Sequence, residues 1–370
     1  MNTIERLSDN LTFLKSIHQY RELKLKSGLI DFFSNDYLGL SKNVALLSQI
    51  ETLYGTGFGS GGSRLLAGNS SKCMDLEVKL AQIHNKESAL LFSSGYMANL
   101  AFFSTIPARN SIILYDEKIH ACIKDGMRLS LASKISFKHN DLEVLRKRLE
   151  QNKNKECFVA IESIYSMDGD MAPIKEIAIL CREFEANLVV DEAHSTGNYG
   201  IKGSGLVTSL GLDSVVFAKI HTFGKAISAH GAVIVGSKIL SEYLVNHARP
   251  FIYTTALPTH DIEVINTIYN FLDRHWQDLQ RDLNQRVEWF RESIVKPLQS
   301  SFSPIQVVLV PGNEQVIKLS KIVEKNGFDV RPVLSPTVPK GEERLRICLH
   351  NFNTKSEIQT LADCINSNIV

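Results

Sequence analysis

From about residue 70 to residue 250 the chain alternates between short apolar runs and amphipathic stretches. This alternation constrains the fold more than any other feature. Runs of about four apolar residues read as strands, and apolar positions recurring every three or four residues read as helices. The strand-like runs fall at 89–92, 112–115, 158–161, 188–190, 215–217 and 232–235. Helical patterns lie between them, at 73–83, at 96–103, through Ile123 and Met127, and at 174–184. Such alternation predicts an α/β fold, a largely parallel sheet covered by helices on both faces.

The flanks differ. Ile4, Leu7, Leu11, Leu14 and Ile17 predict an opening amphipathic helix, and residues 29–33 a short strand. After Pro250 the pattern predicts one long helix over about 262–295, strands near 305–308 and 344–348, and helices near 315–325 and 355–367. The expected organisation is therefore a helix and strand at 1–40 that pack on the small domain, a large domain at 41–250, and a smaller α+β domain at 251–370.

Composition narrows the function classes. With 41 basic and 40 acidic residues the net charge is +1, too weak a field to gather nucleic acid or anionic membrane. No run of about 18 apolar residues predicts a membrane span, and the polar first residues lack the apolar centre of a signal peptide. The six cysteines are scattered without a CxxC pair, so reduced thiols in a cytoplasmic protein are expected and a metal site is not.

Open α/β sheets bind ligands beyond the carboxyl ends of their strands, and several chemically capable residues fall there. Asp191 ends the run 188–190, with His194 three residues on. Ser94-Gly95-Tyr96 follows 89–92, where a helix N-terminus makes a seat for phosphate; an ordinary N-cap serine is the plainer alternative. Ser166 lies beyond 158–161, and His120 opens a helix after Tyr115-Asp116. A flat imidazole there suits stacking on an aromatic cofactor or simple capping. Five glycines between Gly55 and Gly62 match neither a Walker loop nor a dinucleotide fingerprint.

Lys225, in Thr222-Phe223-Gly224-Lys225, comes shortly after Asp191. An amine that forms Schiff bases and an acid that holds a protonated pyridine are what pyridoxal phosphate (PLP) chemistry most needs. Lys219 is the rival lysine, expected to be a solvated surface charge. A phosphate- or nucleotide-binding module, and a PLP-binding regulator without turnover, stand as non-enzymatic alternatives.

Ordered motifs then resemble a family. Ser34-Asn35-Asp36-Tyr37-Leu38-Gly39-Leu40, Gly59-Ser60-Gly61-Gly62-Ser63-Arg64, Ser166-Met167-Asp168-Gly169-Asp170, Asp191-Glu192-Ala193-His194 and Thr222-Phe223-Gly224-Lys225 occur in sequence. Tyr253-Thr254-Thr255-Ala256-Leu257-Pro258, Pro336-Thr337-Val338-Pro339 and Arg344-Leu345-Arg346 follow. From about residue 30 to the end the chain resembles the α-oxoamine synthases, PLP enzymes of the aspartate-aminotransferase fold (fold type I). The resemblance implies a homodimer with its sites at the interface, in which Lys225 carries the cofactor, Asp191 pairs with the pyridine nitrogen and His120 stacks on the ring. It places His194 and Ser166 on the ring's oxygen side, and Gly95, Tyr96 and Thr222 at the phosphate. It implies that Thr255 reaches a neighbouring subunit's phosphate, that Asn35 and Arg346 bind the amino-acid carboxylate, and that Thr337 and Arg21 serve the substrates. Within the family the motifs are most similar to the branch that condenses L-alanine with a pimeloyl thioester, on CoA or acyl carrier protein, in biotin biosynthesis. Branches using glycine with acetyl-CoA, or serine with palmitoyl-CoA, are the alternatives. One departure stands out: Ala226-Ile227-Ser228-Ala229 occupies a stretch where the family usually shows glycines.

Overall fold

The computed structural model describes residues 2–17, 19–23, 28–55, 57–295 and 301–369. Thr56, inside the glycine-rich stretch, lies outside them. In chain order the strands are β1 Ile30–Asp31, β2 Ser88–Phe92, β3 Ile112–Asp116, β4 Ser133–Phe137, β5 Cys157–Glu162, β6 Asn187–Asp191, β7 Val216–Thr222, β8 Ala232–Gly236, β9 Ile305–Leu309, β10 Phe328–Asp329, β11 Arg331–Val333 and β12 Arg344–Cys348. The helices are α1 Thr3–Ser16, α2 Val44–Glu51, α3 Ser71–Ile83, α4 Gly95–Thr105, α5 Ala121–Leu129, α6 Leu142–Gln151, α7 Ile174–Glu183, α8 Leu206–Ser209, α9 Lys238–His247, α10 Arg249–Ile252, α11 Thr259–Ser293, α12 Asn313–Lys325 and α13 Lys355–Asn368.

Two compact units form. The larger holds Asn35–Ser166 and Asp170–Leu283, and the smaller holds Met1–Ser34, Met167–Gly169 and Asn284–Val370. The larger unit is built on a seven-stranded sheet of order β2-β8-β7-β6-β5-β3-β4. The pairs β3–β4, β3–β5, β5–β6 and β6–β7 are parallel, and β8 runs antiparallel to β2 and β7. Strand β5 is buried along its whole length, and the side chains of Leu188, Val189 and Val190 in β6 are buried as well. Such continuous apolar runs are what a sheet covered on both faces requires. The smaller unit packs Phe32, Val287, Phe290, Val308, Leu345, Ile347, Ile358 and Leu361 into one core. Its β11-β12-β9 sheet is antiparallel.

Three local expectations need correction. The strand expected at 215–217 runs instead from Val216 to Thr222, straight through Lys219 and His221. Strand β4 and helix α6 escaped the pattern, because Ser133-Lys134-Ile135-Ser136-Phe137 is an exposed edge strand with little apolar signal. The strand expected at 29–33 is only two residues long.

A charge clamp closes one edge of the larger unit. His139 Nδ1 meets Asp116 Oδ1 at 2.9 Å, and its Nε2 meets Asp170 Oδ2 at 2.7 Å. Burial lowers the imidazole pKa, but the hydrogen bonds to both carboxylates outweigh it and push it up to about 9. A histidine raised in the folded state stabilises it fully below the ordinary histidine pKa, and that contribution fades as pH climbs through about 9. Wild-type stability is therefore expected to fall between about pH 6.5 and 9 by roughly 2–3 kcal/mol more than that of His139→Asn. Urea titrations of both proteins across that window check it; parallel curves would refute the clamp.

Candidate active site

The carboxyl ends of β2, β5, β6 and β7 carry the chemistry. Asp191 closes β6 and is buried. Its Oδ2 accepts from Asn99 Nδ2 at 2.7 Å and its Oδ1 from the Ala193 backbone at 2.9 Å. The amide dipole and backbone N–H hold the carboxylate in one orientation away from water. His194, three residues on, is buried too. Its Nε2 lies 2.8 Å from Lys225 Nζ, and its Nδ1 lies 2.7 Å from the hydroxyl of fully buried Tyr37. The Tyr37 hydroxyl also donates to Asn35 Oδ1 at 2.9 Å. Asn35, His194 and Lys225, distant in sequence, thus meet in one hydrogen-bonded line.

Helix α4 begins at Gly95, with Ser94 as N-cap; the Ser94 hydroxyl accepts from Met97 N at 3.2 Å. The capping alternative for Ser94 therefore holds, and the phosphate seat is compatible with it, since first-turn N–H groups lack intrahelical partners. A Cβ at Gly95 would sit 3.2 Å from Thr222 Cβ and 3.3 Å from its Oγ1. Gly95 and Thr222 therefore face one another so closely that any side chain at residue 95 would press on the Thr222 hydroxyl. Tyr96 is half-exposed and its hydroxyl donates to Asp125.

His120 caps α5, with Nδ1 accepting from Cys122 N at 3.2 Å, and Cys122 Sγ lies 2.9 Å from the same nitrogen. Burial lowers its pKa, Asp191 opposes that effect and Lys225 adds to it, so all three groups share one field. Ser166 is buried.

Glu162 was not singled out from the sequence, yet it is central. It ends β5 directly beside Asp191 in the parallel register, and it is buried. Its carboxyl accepts from the backbone N–H groups of His120 and Ser166, while Oε1 is buried without a hydrogen-bond partner. Burial and the neighbouring Asp191 charge push its pKa up to about 8. The available signal was the one used for Asp191: a carboxylate that terminates an apolar strand. Tyr37 was quoted within a motif but given no role.

Two expectations about the lysine loop are settled by geometry. Lys219 is not a surface charge. It is fully buried, with Nζ 2.6 Å from Asp213 Oδ1 and 2.8 Å from Thr208 Oγ1. Side chains alternate across a strand, and at Lys219 that alternation turns the lysine into a polar pocket. The Ala226–Ala229 stretch closes as a turn in which Ser228 takes φ 53°, a left-handed conformation that glycine adopts without steric cost. The Ser228 hydroxyl donates to Asp36, which offsets the strain.

Thr255 is exposed and lines a small hollow of the larger unit with Arg64 and Ser93. Arg346, Thr337 and Arg21 belong to the smaller unit. Arg346 is buried, with Nη1 2.8 Å from Cys348 Sγ, whereas Thr337 and Arg21 are exposed.

A mostly parallel sheet with a lysine, a carboxylate and a histidine converging at its strand ends defines a PLP-dependent transferase of fold type I. The sequence profile of aminotransferase class I and II matches residues 27–365. An 8-amino-7-oxononanoate synthase from Emericella nidulans is 40% identical, over 92% of this chain and 89% of its own length. A serine palmitoyltransferase variant from S. paucimobilis with a bound PLP–myriocin aldimine superposes with a TM-score of 0.88 at 26% identity, over 100% and 98% of the two chains. An 8-amino-7-oxononanoate synthase from Francisella tularensis superposes with a TM-score of 0.79 at 30% identity, over 92% and 98%. The chain belongs to the aminotransferase class I and II family and, within it, to the PLP-dependent acyltransferases known as α-oxoamine synthases.

The residues fit that cofactor. Gly95 brings the Thr222 hydroxyl close to a helix N-terminus, Asp191 is a buried acceptor, and the Lys225 amine lies beside His194. Gly95→Ala is expected to weaken PLP binding about tenfold, near 1.4 kcal/mol, because the added methyl displaces the Thr222 hydroxyl. Spectroscopic titration with PLP checks this, and an unchanged affinity would count against the seat.

Proposed function

We propose that the chain condenses L-alanine with a pimeloyl thioester, releasing CO2 and the free thiol and forming 8-amino-7-oxononanoate for biotin biosynthesis. One observation carries the chemistry: the Lys225 amine and the buried Asp191 carboxylate share the strand ends with His194, which bonds the amine directly. The 40% identity to a synthase of this name supports the choice of substrates.

PLP, when bound, supplies a sink for the electrons left at the amino acid's Cα. The protein's part is binding and proton movement. Lys225 holds the cofactor in the resting enzyme, and its freed amine takes the proton from alanine Cα and later returns one there. Its pKa must fall below the ordinary lysine value to do so, which coverage beside the cofactor favours. Asp191, kept from water by Asn99 and the Ala193 N–H, holds the proton on the ring nitrogen. Gly95, Tyr96 and Thr222 take the phosphate, His120 covers the ring, and His194 and Ser166 serve its oxygen side. Asn35, Arg346, Thr337 and Arg21 are our candidates for the substrates, Arg346 for a carboxylate because a guanidinium grips one bidentately. Thr255 is assigned to the phosphate of a second subunit in a homodimer.

Among the described residues no helix is long and apolar enough to cross a membrane, and a cytoplasmic enzyme is the matching proposal. Superposition on serine palmitoyltransferase over the whole chain favours a second reading, serine with a long-chain acyl-CoA. Steady-state assays with alanine, glycine and serine against pimeloyl, acetyl and palmitoyl thioesters decide between them. Alanine with pimeloyl thioester is expected to give the highest kcat/KM. Glycine turnover should trail by the roughly 10–200-fold that one methyl group allows. Serine with palmitoyl-CoA as the best pair would overturn the assignment.

A further inference from the structure

We infer that Arg64 is a positioning residue that holds Thr255 in place for the cofactor phosphate of the neighbouring subunit, and so acts on that subunit's site rather than on its own. The inference rests on the assignment of Thr255 to a second subunit of a homodimer. Arg64 follows the glycine-rich stretch, and its guanidinium grips Glu77 of α3 with two parallel bonds, Nη1 to Oε1 at 2.8 Å and Nη2 to Oε2 at 3.0 Å. Its Nε donates to Asn69 Oδ1 at 2.9 Å. All three guanidinium nitrogens are thus engaged within the larger unit, and the two side chains of the ion pair are only 12% and 13% exposed. A forked pair of this kind fixes direction as well as distance.

The turn that Arg64 anchors carries the Thr255 segment. Ala256 donates its backbone N–H to Gly62 O at 3.0 Å. A Cβ at Gly68 would stand 2.8 Å from Ala256 Cβ, so turn and segment pack without slack. The Arg64 guanidinium also lies 5.9 Å from the centre of the Phe251 ring. Phe251 and Ala256 are buried, and Thr255 between them is exposed. Thr255 is therefore presented outward on a segment that the Arg64 turn holds on both sides. The same ion pair has an inward outlet. Glu77 Oε1 accepts from Leu91 N at 2.8 Å, on β2, which leads to the subunit's own seat at Gly95. The outward route is the softer one. Strand β2 is held along its length by its ladder with β8, whereas residues 253–258 lie in neither helix nor strand. Loosening the Arg64 fork thus releases Thr255 before it moves Gly95.

The test reads which subunit is affected. Two affinity tags isolate mixed dimers in which Lys225→Ala leaves a single Lys225, and the PLP that borohydride fixes on it is measured as PLP is varied. In the first dimer one subunit carries Arg64→Lys and the other Lys225→Ala. The working site is then reached by a Thr255 backed by an intact Arg64, and PLP affinity should match that of the dimer with Lys225→Ala alone. In the second dimer both changes share one subunit, so the working site depends on the altered arm. Lysine keeps the charge but not the fork, and affinity should fall roughly tenfold, the scale of one lost charge-assisted hydrogen bond. Glu77→Gln breaks the fork while its amide oxygen still accepts from Leu91 N. It should reproduce the pattern, and it covers an Arg64→Lys chain that does not fold. A loss in the first dimer, or no loss in either with both substitutions, overturns the proposal. Thr255→Ala in the same two arrangements tests the underlying reading. Its loss in the second dimer, with Arg64→Lys and Glu77→Gln silent, overturns the proposal and keeps the reading of Thr255. Silence of Thr255→Ala in both dimers overturns the two together.

Discussion

Lys225→Ala is expected to lose roughly 10⁴-fold or more in kcat, because one substitution removes both the covalent tether and the base at Cα. Its fold should survive, since Lys225 Nζ bonds His194 and lies outside the apolar core. The contrast is Lys219→Ala. Lys219 is fully buried against Asp213, and deleting it leaves a carboxylate uncompensated. That change is expected to cost about 3–5 kcal/mol of stability. Two lysines six residues apart thus fail in different assays. Borohydride reduction of the holoenzyme followed by peptide mapping gives the direct check. A label on Lys219, or Lys225→Ala turning over near wild-type rate, would remove Lys225 from the mechanism.

Asp191→Asn is the second large effect. A neutral amide cannot hold a pyridinium proton, so proton abstraction at alanine Cα should slow by about 10³-fold, within the range general acid–base groups carry. PLP binding should persist in part, because the Gly95–Thr222 seat is separate from Asp191. The buried neighbour adds a signature. Glu162 is pushed up to about 8 by burial and by the Asp191 charge. Removing that charge lets Glu162 ionise at lower pH. Ionised Glu162, beside residue 191 in the strand register, restores a negative charge there, so the few residual turnovers of Asp191→Asn should rise with pH along a lower midpoint than Glu162 has in the wild type. Adding Glu162→Gln should flatten that rise. Pre-steady-state absorbance measurements across pH 6 to 9 resolve it. A variant with wild-type proton abstraction, or a rise that persists with Glu162→Gln, would disprove the assigned roles.

The alternation of strand and helix over residues 70–250 was legible because every buried parallel strand needs an apolar run and every covering helix an amphipathic one. The position of Asp191 and Ser166 near strand ends was legible for a related reason: one ends such a run and the other follows one, and strand ends are where an open sheet exposes polar groups. Lys225 was marked by its small neighbours and its order after Asp191. Strand β4, at the sheet edge and half polar, carried no such signal. The fate of Lys219 was invisible too, since nothing along the chain announces Asp213 and Thr208 as its buried partners. The line from Asn35 through Tyr37 and His194 to Lys225 joins residues up to 190 positions apart, and the Glu162–Asp191 pair arises from strand register. Local patterns record what a residue does to its own backbone and to the side of an element that must leave water. Which donor meets which acceptor is set when distant elements pack, and only the tertiary structure decides it.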